Sequence, residues 1–138
     1  WTAIAADASA QLLKAVFVLL LDRKWSAERL FGSGGMPSSH SAFVSALATG
    51  VGIEEGFGSP LFAVAAVFAL IVMYDATSVR RAAGLQAHVL NELVVRLSHV
   101  LDEGFKPETL RTLLGHSVPQ VVAGLGLGVA AALVSFTG

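Results

Sequence analysis

Apolar residues fall into four runs separated by polar, glycine-rich or charged stretches. Thr2 to Leu21 is interrupted by Asp7, Gln11 and Lys14. Ser41 to Ile53 is short and rich in small residues, Pro60 to about Val79 is nearly unbroken, and Val118 to Phe136 carries three glycines. A helix crossing a hydrocarbon core roughly 30 Å thick needs about twenty residues, so the first, third and fourth runs are long enough and the second is not. The second is expected to cross obliquely with the loop before it, which would be re-entrant and tolerated because it is buried in protein or lines a wet cavity. Between Arg80 and Leu101 the pattern changes: Leu85, Val89, Leu93 and Leu97 recur against Gln86, Asn91, Glu92 and Arg96. That spacing predicts an amphipathic helix, either extending the third span or lying at the interface. Asp102-Glu103-Gly104 and Lys106-Pro107 break it, and Thr109 to Leu114 reads as a short helix stopped by Gly115. With no repeat, low-complexity tract or linker, residues 1–138 form one domain. The expected fold class is all-α: a polytopic membrane protein with about four short transmembrane helices, an amphipathic helix and a Gly-rich loop of re-entrant type.

Composition agrees. Hydrophobic residues make up 54% of the chain and charged residues 14%, against roughly 25% charged in soluble domains. A net charge of -1 gives no support for nucleic acid as a partner, and the absence of cysteine removes disulfides and thiolate metal sites. The N-terminal run has no basic leader and no clear cleavage site, so it is expected to be a retained span. Eight of the nine Lys and Arg residues (Arg23, Lys24, Arg29, Arg80, Arg81, Arg96, Lys106 and Arg111) follow the first and third runs, whereas Val51 to Pro60 holds Glu54 and Glu55 and no cation. By the positive-inside rule the basic side is cytoplasmic.

The chain is organised around Gly32-Ser33-Gly34-Gly35-Met36-Pro37-Ser38-Ser39-His40-Ser41-Ala42. Gly34 and Gly35 permit positive φ and close approach to a ligand, and Pro37 suits a helix start. A helix beginning near Pro37 or Ser38 would present free N–H groups and partial positive charge to an anion. Ser in such a place is commonly just a cap. His40, in the first helical turn, adds a group that exchanges protons near neutral pH. No Lys follows the glycines, which excludes a nucleotide-binding P-loop.

Other polar residues lie within the first span and at the borders of the later ones. Asp7, Gln11 and Lys14 share one helical stripe; they are either a structural pair with a snorkelling lysine, or a means for Lys14 to reach the loop's anion. In Tyr74-Asp75-Ala76-Thr77-Ser78-Val79-Arg80-Arg81, one arginine of the pair is expected to face inward, where its fork suits phosphate oxygens. Asp75 needs a cationic or imidazole partner, with Arg81 or a histidine as candidates. His116 and Gln120 are one turn apart, so the Gln oxygen can accept from one ring nitrogen and leave the other free. His88 and His99 read as surface residues. Gly124 and Gly128 form a helix-packing face, and a homodimer is one way to use it.

Together these motifs resemble the divergent branch of the type 2 phosphatidic acid phosphatase superfamily, whose relatives include vanadium haloperoxidases and bacterial acid phosphatases. The resemblance rests on residues 34–42, Tyr74-Asp75-Ala76-Thr77 through Arg80-Arg81-Ala82-Ala83-Gly84, and Leu114-Gly115-His116. It implies a helical membrane protein with a phosphate pocket. Pro37, Ser38 and His40 match a Pro-Ser-Gly-His motif in which Ser39 replaces glycine, and His116 fits the family's nucleophilic histidine. Thr109 and Leu110 stand where Ser and Arg would precede it, Gln120 stands where an orienting acid would follow, and the upstream Lys, six residues, Arg-Pro motif is absent.

The reading implied is a metal-independent membrane phosphatase, without cofactor, acting on a lipid or isoprenoid phosphate monoester or pyrophosphate through a phosphohistidine. His116, His40, Asp75 and Gln120 would be its catalytic residues, and Lys14, Lys24, Ser38, Ser39, Arg80 and Arg81 its phosphate ligands. The alternative is a catalytically impaired lipid-phosphate-binding or assembly protein of the same fold, favoured by the neutral Gln120. A serine hydrolase using Ser39 or Ser41 lacks a nucleophile elbow.

Overall fold

The computed structural model describes residues 1–22, 35–97, 109–112 and 114–137. Among the described residues there are five helices: α1 (Thr2–Asp22), α2 (Ser39–Glu55), α3 (Pro60–Thr77), α4 (Val79–Leu97) and α5 (Val118–Thr137). The described chain is all-α, as the apolar pattern predicts. Local chemistry sets the helix starts. Ser38 caps α2, and Ser59 caps α3 by accepting the Phe62 N–H at 3.1 Å, with Pro60 in the first turn where its missing donor costs nothing. Gly56, at φ +90°, ends α2, and Phe57 meets Phe62 edge to face at 5.1 Å across the turn.

Helix α2 is the centre, packed against α1, α3 and α5. At seventeen residues it is roughly 25 Å long, and it is enclosed by its neighbours. Its buried residues are nearly all small: Ser39, Ser41, Ala42, Val44, Ser45, Ala46, Ala48, Gly50 and Gly52. One core cluster joins Ala6 and Ala10 to Ala42 and Ala46, and a second joins Val44 and Ala48 to Ala69. Large apolar side chains point outward instead, among them Phe68, Leu70 and Ile71 on α3 and Val122, Leu133 and Val134 on α5. Small residues inside and large ones outside is the arrangement of helices in lipid, where close backbone approach and dispersion replace hydrophobic exclusion. Pro60–Leu97 and Val118–Thr137 are long and apolar enough to cross a membrane.

The Gly124/Gly128 face packs as its spacing suggests, but its partner is α2 of the same chain. A Cβ at Gly124 would fall on the Ser38 carbonyl oxygen, and one at Gly128 on Ser45 Oγ and the Ala42 carbonyl oxygen. Within the chain, α2 occupies that face.

The third apolar run and the amphipathic segment form one long rod broken at Ser78, whose φ and ψ are -111° and -72°. Thr77 Oγ1 donates to the carbonyl oxygens of Met73 and Tyr74 just before the break. Beyond it, α4 carries buried Gly84 and Ala87 on one face and exposed Leu85, Val89 and Leu93 on another.

One expected element does not form. Residues 109–112 and 114 are not helical; they lie against α4 as a strap of irregular backbone. Asn91 Nδ2 donates to the Leu110 carbonyl oxygen at 2.9 Å, and Asn91 Oδ1 accepts the Leu110 N–H at 3.0 Å. A Cβ on Gly84 would lie 2.6 Å from the Thr112 carbonyl oxygen, and one on Gly115 2.6 Å from Arg81 N. The His116 N–H then donates to the Ala76 carbonyl oxygen at 2.9 Å. Contacts from α4 thus replace the bonds a helix would have made within itself.

Candidate functional site

The strap ends where the N-termini of α2 and α5, the break between α3 and α4, and the polar stripe of α1 come together. Ser38 ties two of these: its N–H donates to the Gln120 carbonyl oxygen at 3.0 Å. Its Oγ accepts from Ser41 N at 3.4 Å and Ser41 Oγ at 2.9 Å, and the residue is fully buried. Ser38 therefore acts here as the cap of α2. Ser39, also buried, accepts from Gln11 Nε2 at 3.1 Å, which fastens the α1 stripe to the start of α2. Ser39 is followed by His40, exposed in the first turn.

One turn beyond Gln11, Lys14 is 3% exposed. A Cβ on Gly35 would lie 2.7 Å from Lys14 Cε, and Gly35 has φ +107°. Only glycine combines that backbone with room for the lysine stem. Lys14 thus lies against Gly35 of the Gly-rich segment; Gly34 and Lys24 lie outside the described residues.

At the α3–α4 break, Asp75 pairs with Arg80, Nε to Oδ2 at 2.5 Å, and both side chains are partly exposed. Its partner is therefore not Arg81 or a histidine. Five residues separate the pair, and the break at Ser78 supplies the turn that lets them meet. Arg81 contributes backbone to the site's wall, its N and Cα lying under Gly115.

His116 is 5% exposed. Its pKa is lowered first by burial, then by the positive charges of Lys14, His40 and Arg80, while the contact with Gln120 pulls the other way. Those three charges sit on α1, α2 and α4. A histidine held neutral near pH 7 is available as a base or nucleophile. Nδ1 faces Gln120 Oε1 at 3.4 Å, so the ring nitrogen turned away from Gln120 is Nε2.

That Gln120 oxygen has a shorter partner, the Ser117 N–H at 2.8 Å. Ser117-Val118-Pro119-Gln120 is half of a capping box, with the residue at the third helical position accepting from the cap's N–H. The motif is legible in the sequence as Ser, two residues, Gln. Asn91, which holds the strap, has no such local signal because its partner is nineteen residues away.

His88 lies on exposed α4, 3.8 Å from Glu92, and His99 is outside the described residues. Among the described residues no group of three or more His, Asp or Glu is placed to hold a metal. A hollow of about 450 Å³ beside Leu85, Gln86, Val89 and Leu90 lies on α4, and these side chains bring no acid or base to it.

Membrane-length helices around a small-residue core, with histidines and cations gathered at one end, define a polytopic helical membrane protein. The chain belongs to the Divergent PAP2 family, whose model matches residues 1–131. It is 42% identical over 142 residues to the uncharacterized membrane protein YuiD of Bacillus subtilis (strain 168), covering 96% of this chain and 90% of that relative. No solved structure matches it.

Proposed function

We propose that the chain is a membrane phosphatase that hydrolyses a lipid or isoprenoid phosphate at the cytoplasmic leaflet through a phosphohistidine. The observation that supports this reading is the buried His116, tied by its N–H to the end of α3 and set beside the start of α2 by the Ser38 to Gln120 bond, with the charges of Lys14, His40 and Arg80 acting on it. His116 Nε2 would attack phosphorus in line, forming the N–P bond as the ester P–O bond breaks. His40 would give its proton to the leaving oxygen, and water would then cleave the N–P bond to release phosphate. Lys14, Arg80 and the free N–H groups at the start of α2 would hold the equatorial oxygens. Cations clustered on one side of the spans favour the cytoplasmic face. The site's place at the span ends, beside exposed Tyr74 and Val79, suits a substrate with its phosphate in water and its tail in lipid.

A second reading, a lipid-phosphate binder without turnover, is favoured by Gln120. An amide at 3.4 Å orients the ring but does not stabilise a developing imidazolium as a carboxylate does. One experiment tests both. Reconstituted wild type should release phosphate from phosphatidate or a polyprenyl phosphate, and His116→Ala should lower the rate by at least about 10³-fold. Gln120→Glu should raise it roughly tenfold, since Glu also accepts the Ser117 N–H. Equal release from wild type and His116→Ala would sink the phosphatase; headgroup binding with no release from any form would establish the binder.

A further inference from the structure

The geometry points to Asn91 as a positioning residue for His116, acting through the strap between them; the catalytic part of this inference rests on the phosphatase reading. The strap is pinned at both ends, to Asn91 at Leu110 and to the Ala76 carbonyl oxygen at His116. Along the rod, Ala76 to Asn91 measures roughly 22 Å at ~1.5 Å per residue. From Leu110 to His116 the chain reaches at most about 20 Å fully extended. The two lengths are comparable, so the strap is of the size that spans its two pins. Its far anchor therefore sets how deeply His116 is drawn into the site.

The residue type fits the task. A primary amide presents one donor and one acceptor side by side, the complement of a peptide N–H and C=O, and Asn91 uses both on one residue. Asp keeps the acceptor and sets a negative charge against the Leu110 carbonyl oxygen; Ala keeps neither. Between the pins, Gly84 and Gly115 let the strap lie on helix backbone, so the groups that would hold the anion on α1 and α2 do not depend on Asn91.

The test uses the full chain in lipid nanodiscs, comparing wild type, Asn91→Asp and Asn91→Ala by amide hydrogen exchange and steady-state kinetics on a polyprenyl phosphate. In Asn91→Ala the Leu110 and His116 amides should exchange at least tenfold faster while α2 and α5 keep their protection. Turnover should fall at least tenfold with KM within twofold, and Asn91→Asp should lie between the two. Unchanged exchange, or faster exchange with unchanged kcat, overturns the inference; so does loss of protection throughout the bundle. Should the wild type bind but not hydrolyse, the phosphatase reading fails alone, and the His116 ring resonances decide. A shifted titration midpoint in Asn91→Ala then supports the positioning role, and an unmoved one overturns it.

Discussion

Glycine brings backbones together in two places, and the two contacts do different work. In the α2–α5 seam, Gly124 and Gly128 meet Ser38, Ser41, Ala42 and Ser45, all within the buried bundle. At the strap, Gly84 of the outer rod meets Thr112 and Leu114, and Gly115 of the strap meets Arg81 and Ala76. The seam joins regular helices over several turns, so the fold depends on it. The strap joins irregular backbone to a helix and delivers one histidine, so on the proposed reading the site would depend on it more than the bundle does.

Three substitutions or titrations sharpen that contrast, in descending order of effect. Gly128→Val forces a branched side chain onto Ser45 Oγ and the Ala42 carbonyl oxygen. It should destabilise the fold by about 3 kcal/mol or more, read as a lower thermal midpoint in detergent, and a midpoint like wild type would refute the seam's role. Gly115→Ala places a Cβ 2.6 Å from Arg81 N at φ +81°. It should cost about 1–2 kcal/mol of stability yet lower turnover roughly 10–100-fold by displacing His116; equal fractional losses in both variants would erase the distinction.

The smallest effect is on pH dependence. His116 in the folded chain has its pKa lowered from the ordinary 6.5. Below 6.5 the unfolded chain binds the proton more readily than the folded one, so stability falls as pH drops through that window and recovers as pH rises above it. Wild type should therefore lose slightly more stability between pH 7 and pH 5 than His116→Asn does, followed by denaturant unfolding. Bound inorganic phosphate should raise the His116 midpoint by offsetting the charges of Lys14 and Arg80; a midpoint indifferent to phosphate would count against an anion there.

Much of this architecture was readable from local pattern. The four apolar runs became helices with ends within about two residues of those expected, because Ser38, Ser59, Pro60 and Gly56 are cap or break residues whose effect is local. The stripe of Gln11 and Lys14 faced the Gly-rich segment because charge and amide in a span seek protein. What escaped was decided at long range. Thr109 to Leu114 has a passable helical pattern, but Asn91 and Gly84 offer it partners that no short window contains. The choice of Arg80 over Arg81 for Asp75 turned on the break at Ser78, where an unbroken helix would have rotated Arg80 away. The spacing of Gln120 from His116 is legible as one helical turn, and the Ser117-x-x-Gln120 motif equally encodes its bond to the Ser117 N–H.

That bond has a consequence for selection at position 120. Glutamate would serve the start of α5 at least as well, because a negative side chain near the first turn opposes the helix dipole. Folding therefore gives no reason to prefer the amide. A neutral group there leaves the attraction for an incoming phosphate undiminished, whereas an acid would quicken chemistry and loosen capture together. On the proposed reading, residue 120 would set a trade between grip and speed, with the amide on the side of grip.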